Sequence, residues 1–421
     1  MTARIVAIIF MGRGCWHHHA MDRSGLPTYE RAMTDAEDRI LPIDLLRGAA
    51  IIGVVLMNVS AIALPRSLAI IPFLPDGGWD DALIWLIQFV AVDGKARGLL
   101  AMLFGASTLL VIDHAEMDGR DGVAAQRRRL VWLLVIGLAH YLLLWSGDIL
   151  MLLALAGLIT LRFVAGEPLD LMKAAFLFFA AQFGIAILFA VLTYIGSTPA
   201  DFQAVLQREM VLDLGLHRDG YGALLLQRIV DLPDTASLLA LHALPETLGF
   251  MMLGMAMAKG GFFMGQWSED QYRRSARHAL LVGMVPMLVL GIWALLSRDM
   301  RTVDAIGYAA AFPFRIPLAI AYAALLVLLA DRRSGSAIVQ RVAALGRTAL
   351  SNYLLCSLVM TTLAYGYGFA LYAYLGRAAL LGIALLLILA MLLWPRPWLR
   401  RFGRGPAETI WHALQRIGTR A

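Results

Sequence analysis

Three polar residues on one apolar stretch have the types and spacing to do chemistry inside a membrane. Asp44, Arg47 and Asn58 lie in a hydrophobic run long enough to cross a bilayer. At about 100° and 1.5 Å per residue, they fall within roughly 60° of one another around a helix. Polar groups at this depth usually face a bundle interior or a wet cavity. The alternatives are an Asp44–Arg47 ion pair within the helix and an interhelical hydrogen bond from Asn58.

A second candidate site pairs a histidine with an aspartate across a tight turn. His140 lies near the outer end of one predicted span, and Asp148 begins the next span after Ser146 and Gly147. An imidazole there is suited to act as a general base near neutral pH. The alternatives are a buried histidine bonded to a backbone carbonyl and an aspartate that only caps a helix.

One reaction to which these residue types are suited is acyl transfer from a thioester to a hydroxyl or amine. That reaction needs a base for the acceptor proton and hydrogen-bond donors for the developing oxyanion. The predicted catalytic residues are His140, Asp148 and Asn58, with His140 as the base. Asn58 and Asn352 are the expected amide donors, and Arg47 or Lys95 is expected to meet phosphate or carboxylate. The predicted substrate-binding residues are Asp44, Arg47, Lys95, Arg97, Arg347 and Asn352.

Composition restricts the class of protein. Of the 421 residues 60% are hydrophobic and 16% are charged, as in polytopic membrane proteins. The net charge of +6 does not indicate a nucleic-acid partner, because the arginines concentrate in short loops, as topology determinants do. Two cysteines, Cys15 and Cys356, imply no disulfide framework. No GxxxxGK[ST], HExxH, CxxC pair or GxSxG motif supports an ATPase, metalloprotease or α/β-hydrolase.

The predicted fold is all-α, a polytopic transmembrane bundle of about ten spans with both termini cytoplasmic. The predicted spans cover 43–64, 98–113, 130–145, 149–163, 171–195, 236–258, 279–296, 309–330, 349–367 and 378–394. Segment 82–92 is short for a crossing, and as an extra span it would place the arginines at 127–129 outside. We interpret it as interfacial or re-entrant.

Three parts of the chain differ in composition. We predict a flexible N-terminal tail at 1–38, a transmembrane domain at 39–396 with an outer loop at 196–234, and a basic cytoplasmic tail at 397–421. Cys15 beside the histidines at 17–19 is weak support for a metal site, because a tail has no residues to orient the ligands, and none is predicted. Translation can start at Met1 or at Met33, and the sequence does not decide between them.

Two further charges follow prolines inside predicted spans. Glu246 follows Pro245, and Arg315 lies two residues after Pro313. We expect the two charges to pair with each other across the bundle. Charges beside prolines also mark the broken helices of transporters.

The pattern Arg39…Asp44-x-x-Arg47-Gly48…Asn58 resembles the first helix of the YeiB-type membrane proteins, a bacterial family of largely unassigned function. Agreement continues at 95–105, 140–150, 346–353 and 405–408. This resemblance implies a multi-pass protein of the bacterial inner membrane. More distantly, the first helix is similar to that of the lysosomal heparan-glucosaminide acetyltransferase. That likeness implies acyl-CoA as a cytoplasmic co-substrate and a glycan or small molecule as the acceptor at the outer face.

One departure limits the comparison with the lysosomal enzyme. Its catalytic histidine follows its asparagine shortly, whereas this chain has no histidine between His19 and His114. Three hypotheses therefore stand: a transmembrane acyltransferase, a small-solute transporter, and a non-catalytic membrane scaffold. All three have the lipid bilayer as a partner and need no covalently bound cofactor. The oligomeric state is open, with a homo-oligomer among the alternatives.

Overall fold

The computed structural model describes residues 41–75 and 77–417, and within those residues every regular element is a helix. The all-α prediction is therefore confirmed. The predicted tail at 1–38, with its Cys15 and histidine cluster and the Met33 start, lies outside the described residues.

Nineteen α-helices are described within these residues. They are α1 Leu41–Ala63, α2 Arg66–Ile70, α3 Trp79–Ala91, α4 Lys95–Met117, α5 Gly122–Leu143, α6 Leu150–Thr160, α7 Pro168–Gly196, α8 Pro199–Arg218, α9 Tyr221–Val230, α10 Leu232–His242, α11 Leu244–Lys259, α12 Glu269–Leu296, α13 Met300–Ala305, α14 Phe312–Arg332, α15 Ala337–Arg347, α16 Ala349–Ala364, α17 Arg377–Leu393, α18 Pro395–Phe402 and α19 Pro406–Gln415. Two 3₁₀ turns, Leu161–Phe163 and Phe262–Met264, and one π-helical turn, Ile306–Ala310, interrupt them.

The structure forms a helical membrane bundle, but it does not confirm ten spans. Among the described residues, six helical segments are long and apolar enough to cross a membrane. They are Leu41–Ala63, Trp79–Met117, Pro168–Gly196, Glu269–Leu296, Phe312–Arg332 and Arg377–Phe402. Two bent pairs, α10 with α11 at 50° and α15 with α16 at 81°, raise the number to eight if each pair is one span.

The predicted spans at 130–145 and 149–163 are the two that this count of up to eight does not include. Helix α5 begins within the charged segment that contains the arginines at 127–129, and α6 has 11 residues. Eleven residues of helix measure roughly 17 Å, which is less than the roughly 30 Å of hydrocarbon in a bilayer. Segment 82–92 lies in α3, which leads through the turn at 92–94 into α4, and the two helices are counted together as one apolar segment, Trp79–Met117. Its interpretation as interfacial or re-entrant stays a prediction.

Large apolar side chains on the outer helices face away from the bundle. Leu177 and Ile195 on α7, and Leu281 and Leu296 on α12, are all more than half exposed. A water-soluble chain rarely leaves such continuous apolar faces uncovered. These faces contact the acyl chains of the bilayer.

Glycines allow the central helices to approach closely. Gly48 on α1 lies against the Val342 carbonyl on α15, and Gly346 on α15 lies against the Asp44 carbonyl on α1. Helices without a hydrophobic driving force between them associate through such backbone contact at small residues. The α1–α15 crossing thereby fixes the start of the first span against the bend before α16.

A second crossing of the same kind joins α4 to α11. Gly105 meets the Met251 carbonyl, and Gly254 meets the Met102 carbonyl. All four residues are inside the bundle, where a side chain has no room to turn away. Helix α4 therefore packs tightly on α11 along its middle.

Arg377 at the start of α17 holds the loop that follows the first span. Its guanidinium donates hydrogen bonds to the carbonyls of Leu68 at 2.9 Å, Ile71 at 2.6 Å and Pro72 at 3.0 Å. Its backbone N–H donates to Asp81 Oδ1 at 2.8 Å. The side chain is 1% exposed, so these carbonyls provide the partners that a buried cation requires.

The basic C-terminal segment is docked on the bundle. Glu408 Oε1 accepts hydrogen bonds from the backbone N–H groups of Leu350 at 2.8 Å and Ser351 at 3.2 Å, and so caps α16. Trp411 on α19 donates to the Arg129 carbonyl at 3.1 Å. Residues 403–415 therefore form one wall of the structure at this end.

The predicted outer loop at 196–234 is mostly helical. It forms α8, α9 and the start of α10, which pack at the end of the bundle opposite the C-terminal segment. Arg228 on α9 donates to the carbonyls of Leu142 at 3.0 Å and Leu144 at 2.9 Å, which end α5. Exposed carbonyls at a helix C-terminus are in this way satisfied by a cation.

We predict that Gly254→Ala lowers the thermal unfolding temperature of the purified protein in detergent. The new methyl group would overlap the Met102 carbonyl, and overpacking of this kind costs about 1–3 kcal/mol. Gly382→Ala on α17 is the matched control, because nothing lies near its added methyl group and alanine favours helix. Equal unfolding temperatures for the two variants would contradict the close α4–α11 contact.

Candidate functional site

A cavity of about 740 Å³ opens at the end of the bundle where the C-terminal segment docks. Its lining combines the starts of α1, α5 and α16 with the ends of α4 and α15 and with α19. Five arginines and two histidines contribute, against two acids; they are Arg47, Arg120, Arg129, Arg347, Arg404, His114 and His412, with Asp44 and Glu408. We call this opening the basic rim. Its positive excess favours an anionic ligand.

Below the basic rim the cavity becomes apolar. Its walls there come from α1, α4, α5 and α6, and they include Ile51, Leu100, Leu103, Phe104, Leu133, Ile149, Leu150 and Leu153. Tyr353 on α16 contributes a polar group to this region. A rim of cations above an apolar cavity is complementary to an amphipathic molecule with an anionic head.

Behind the apolar part lies a buried cluster of His140, Asp148 and Tyr353. His140 Nδ1 is 2.9 Å from Asp148 Oδ1, and Tyr353 donates to the same oxygen at 3.4 Å. The His140 and Tyr353 rings are 4.9 Å apart. The imidazole is turned so that, among the described residues, neither ring nitrogen makes an aligned hydrogen bond.

Asp148 also caps a helix. Its Oδ2 accepts a hydrogen bond from the Met151 backbone N–H at 2.6 Å, in the first turn of α6. The Ile149 backbone N–H donates to the Tyr353 hydroxyl at 3.2 Å. Asp148 therefore caps α6, as one of the alternatives from the sequence expected. This hydrogen bond holds Oδ2 in place and leaves Oδ1 beside His140. Capping and orientation of the imidazole are compatible, because they use different oxygens.

Asp44 and Arg47 lie at the basic rim as an ion pair. Arg47 Nη1 is 3.2 Å from Asp44 Oδ1, and Arg47 Nη2 donates to Ser107 at 3.0 Å. Both side chains remain partly exposed towards the cavity. Arg347 lies in the same lining, near the Gly403 carbonyl. The structure thus brings together three of the residues predicted to bind substrate.

The two predicted amide donors are placed elsewhere. Asn58 is buried on α1 but is not part of the cavity lining. Asn352 donates to the carbonyls of Leu345 and Thr348 at the bend between α15 and α16, and accepts from Trp394 at 2.9 Å. Its amide is thus engaged in holding the bend and in an interhelical hydrogen bond to the end of α17.

Lys95 and Arg97 form part of a second polar cluster. Lys95 is fully buried and donates to the Phe89 carbonyl, while Arg97 Nη2 is 2.7 Å from Glu246 Oε2. The expected ion pair of Glu246 with Arg315 is corrected: Glu246 forms its close ion pair with Arg97, while Arg315 donates to the Gly307 carbonyl and interacts with Glu246 only electrostatically. Lys95 lies 19 residues before His114 on α4, so roughly 30 Å separates this cluster from the basic rim.

Several residues of the site were not assigned from the sequence. The rim arginines at 120, 129 and 404 were counted only among the arginines of the short loops and of the basic tail, and Tyr353 was not assigned to the site. His412 on α19 was also missed; burial and the neighbouring arginines at 404, 416 and 129 lower its pKa. The agreement with the family at 405–408 was the available signal that the C-terminal segment belongs to the site, because it includes the charged residue Glu408.

Among the described residues, no group of three or more histidine, cysteine, aspartate or glutamate side chains could hold a metal ion. The arrangement can instead bind an anionic amphiphile. It also places a histidine and a carboxylate just beyond the apolar end of the cavity.

The comparisons with known proteins agree with the resemblance in the motifs. Residues 257–417 match the family model "Protein of unknown function (DUF418)". The uncharacterized protein YeiB of Escherichia coli K12 is 30% identical over 90% of this chain and 96% of its own length. The uncharacterized protein YxaH of Bacillus subtilis 168 is 28% identical over 90% of this chain and 95% of its own length.

No solved structure matches this chain. The similarity to YeiB covers nearly the whole of both proteins. On that coverage and identity, the chain belongs to the YeiB family of multi-pass membrane proteins.

Proposed function

We propose that this protein is an acyl-CoA-dependent acyltransferase of the bacterial inner membrane. It takes an acyl group from acyl-CoA at the basic rim and passes it to an acceptor that arrives from the other side. The observation that carries this proposal is the continuity of the basic rim, the apolar cavity and the His140–Asp148–Tyr353 cluster. The bacterial relatives and the apolar spans support the location.

The lining of the cavity supports acyl-CoA as the donor. The phosphates of CoA are multiply charged, and arginine is suited to bidentate contact with phosphate oxygens. Arg47, Arg120, Arg129, Arg347 and Arg404 supply five such groups around one opening. The apolar part can take the acyl end of the donor. A volume of about 740 Å³ is within the range of small-molecule sites.

The reaction assigned to the cluster breaks the thioester C–S bond and forms a C–O or C–N bond to the acceptor. His140 Nε2 accepts the acceptor's proton as the nucleophile attacks, and Asp148 stabilises the resulting imidazolium. The Tyr353 hydroxyl exchanges its long hydrogen bond to Asp148 for one to the developing oxyanion. His140 then returns the proton to the departing thiolate, so that free CoA leaves as the thiol. Closure of the site around both substrates brings His140 to the acceptor.

The direction of transfer follows from the charges at the two ends. Arginines concentrate at the end that holds the cavity, and short loops rich in arginine stay in the cytoplasm. The acid-containing region at 196–234 is at the other end. Acyl-CoA is therefore met from the cytoplasm, and the acceptor comes from the outer face.

A second candidate function, transport of a small organic solute, is favoured by the two bent helix pairs. The pairs α10 with α11 and α15 with α16 bend by 50° and 81°. Discontinuous helices of this kind build the binding sites of many transporters. Uptake by proteoliposomes without chemical change of the solute would favour this candidate over acyl transfer.

We predict that Arg47→Gln and Arg347→Gln each weaken CoA binding by about tenfold, because each removes a charge-assisted contact to phosphate. Equilibrium binding of labelled CoA to purified protein measures the effect, and affinity should also fall as ionic strength rises. Arg333→Gln is the matched control, since Arg333 is exposed and outside the cavity lining. Equal affinities in all of these proteins would remove CoA from the basic rim.

We predict that His140→Ala lowers the rate of CoA release from labelled acetyl-CoA by about 100-fold or more, the usual contribution of a general base. Tyr353→Phe should lower the rate and leave the CoA affinity unchanged. His278→Ala is the control, because this histidine is exposed on α12. If the wild-type protein binds CoA but releases none with any acceptor mixture, or if His140→Ala is as active as wild type, the assigned chemistry is wrong.

A further inference from the structure

We propose that a second, unassigned binding site lies at the far end of the bundle and takes a small anionic ligand that also carries hydroxyl groups, such as a sugar acid or sugar phosphate. Arg97, Arg315, Glu246 and Gln182 provide its contacts. Naming this ligand as the acyl acceptor rests on the proposed function. The binding site itself stands on the geometry of these residues alone.

Three breaks in the helices meet at this place. The first is the turn at 92–94 between α3 and α4, where Gly94 has φ +78°. The second is the 50° bend between α10 and α11, and the third is the π-helical turn Ile306–Ala310. Irregular backbone at membrane depth is tolerated where it is buried in protein or lines a cavity, and π-helical turns are frequent at functional sites.

Arg315 joins the first and third breaks. Its side chain lies directly over Gly94, where a Cβ would collide with it, and its Nη2 donates to the Gly307 carbonyl in the π-helical turn. In the same turn, Tyr308 accepts a hydrogen bond from Gln182 Nε2 at 3.3 Å and contacts His242 at the end of α10. The three breaks are therefore held together by polar contacts.

Glu246 and Arg97 complete the cluster from α11 and α4. Their ion pair measures 2.7 Å, and Arg315 interacts electrostatically with both of them and with Asp93. The Arg97 side chain keeps 31% of its surface exposed, while Glu246 keeps 4%. Arg97 is therefore the accessible member of the ion pair, and Glu246 is the buried one.

Arg315 is the part of the cluster that favours an anionic ligand. A guanidinium keeps its charge when it is buried, and Arg97 already forms the ion pair with Glu246. Among the described residues Arg315 forms no such ion pair, although Glu246 and Asp93 act on it electrostatically. A charge among apolar helices is costly, and a bound anion in contact with Arg315 offsets that cost.

Three buried polar atoms here lack hydrogen-bond partners among the described residues: Arg315 Nε, Glu246 Oε1 and Gln182 Oε1. Orphaned polar atoms are rare in folded interiors, and several together indicate an absent ligand or water. Arg315 Nε is a donor and fits the anionic group. Glu246 Oε1 and Gln182 Oε1 are acceptors and fit hydroxyl groups. One ligand that carries both kinds of group satisfies all three.

The test measures direct binding to the purified full-length protein in nanodiscs, without acyl-CoA. The probes are glucuronate, glucose 6-phosphate, neutral glucose, acetate and inorganic phosphate. We expect at least one of the two anionic sugars to bind at least about tenfold more tightly than glucose, acetate and phosphate. Glucuronate alone would identify a carboxylate ligand, glucose 6-phosphate alone a phosphate ligand, and both a site that recognises charge and hydroxyl groups together.

Variants connect the binding to the residues. Arg315→Gln should weaken the anionic sugar by about tenfold or more, and Arg333→Gln, which removes an exposed arginine elsewhere, should not. Should Arg315→Gln fail to fold, Glu246→Gln tests the hydroxyl contact: it should reduce the preference for glucuronate over acetate and for glucose 6-phosphate over phosphate.

Three results would overturn the proposal. The first is that neither anionic sugar binds. The second is that folded Arg315→Gln binds the anionic sugar as tightly as wild type, or that Glu246→Gln keeps the wild-type preference for the sugar over acetate or phosphate. The third is that acetate or inorganic phosphate binds the wild-type protein as tightly as the anionic sugars. Because no acyl-CoA is present, failure of the acyltransferase proposal does not change these outcomes. If the protein binds the sugar but transfers no acyl group, the binding site stands, and only its assignment as the acceptor site is wrong.

Discussion

The bundle depends on close backbone contact between helices, because the hydrophobic effect does not drive helices together within the bilayer. Gly48 and Gly346 bring α1 against α15, and Gly105 and Gly254 bring α4 against α11. Helices α1 and α4 also pack on each other, so the two crossings form one framework. The cavity lies between parts of this framework, and its shape follows from how closely these four glycines let the helices approach.

The spacing of residues along the sequence predicted those contacts of the site that form within one helix or between two helices joined by a tight turn. Asp44 and Arg47 are three residues apart, and a tight turn joins the helices of His140 and Asp148, so each pair could be expected from the chain alone. The first span was predicted to within two residues at its start. The role of these residues in catalysis stays a prediction.

Long-range contacts could not be predicted in this way. Arg97 and Glu246 are 149 residues apart, and nothing in the spacing indicates that Arg97 rather than Arg315 reaches the carboxylate. The ten predicted spans are likewise not confirmed, because hydropathy does not show where each helix begins and ends: α6 has 11 residues, and α3 and α4 are counted together as one apolar segment. The predicted substrate-binding residues consequently divide between two ends of the bundle, with Lys95 and Arg97 far from Arg47 and Arg347.

The contacts of Arg377 constrain the order in which the protein can be assembled. The carbonyls of Leu68 and Ile71 emerge from the ribosome 309 and 306 residues before the guanidinium that satisfies them. At about 5–20 residues per second, that interval is roughly 15 to 60 s. During this time the loop after the first span has no permanent partner, and lipid headgroups or water must serve in its place. The segment after the first span therefore gains these contacts only when one of the last helices has been made.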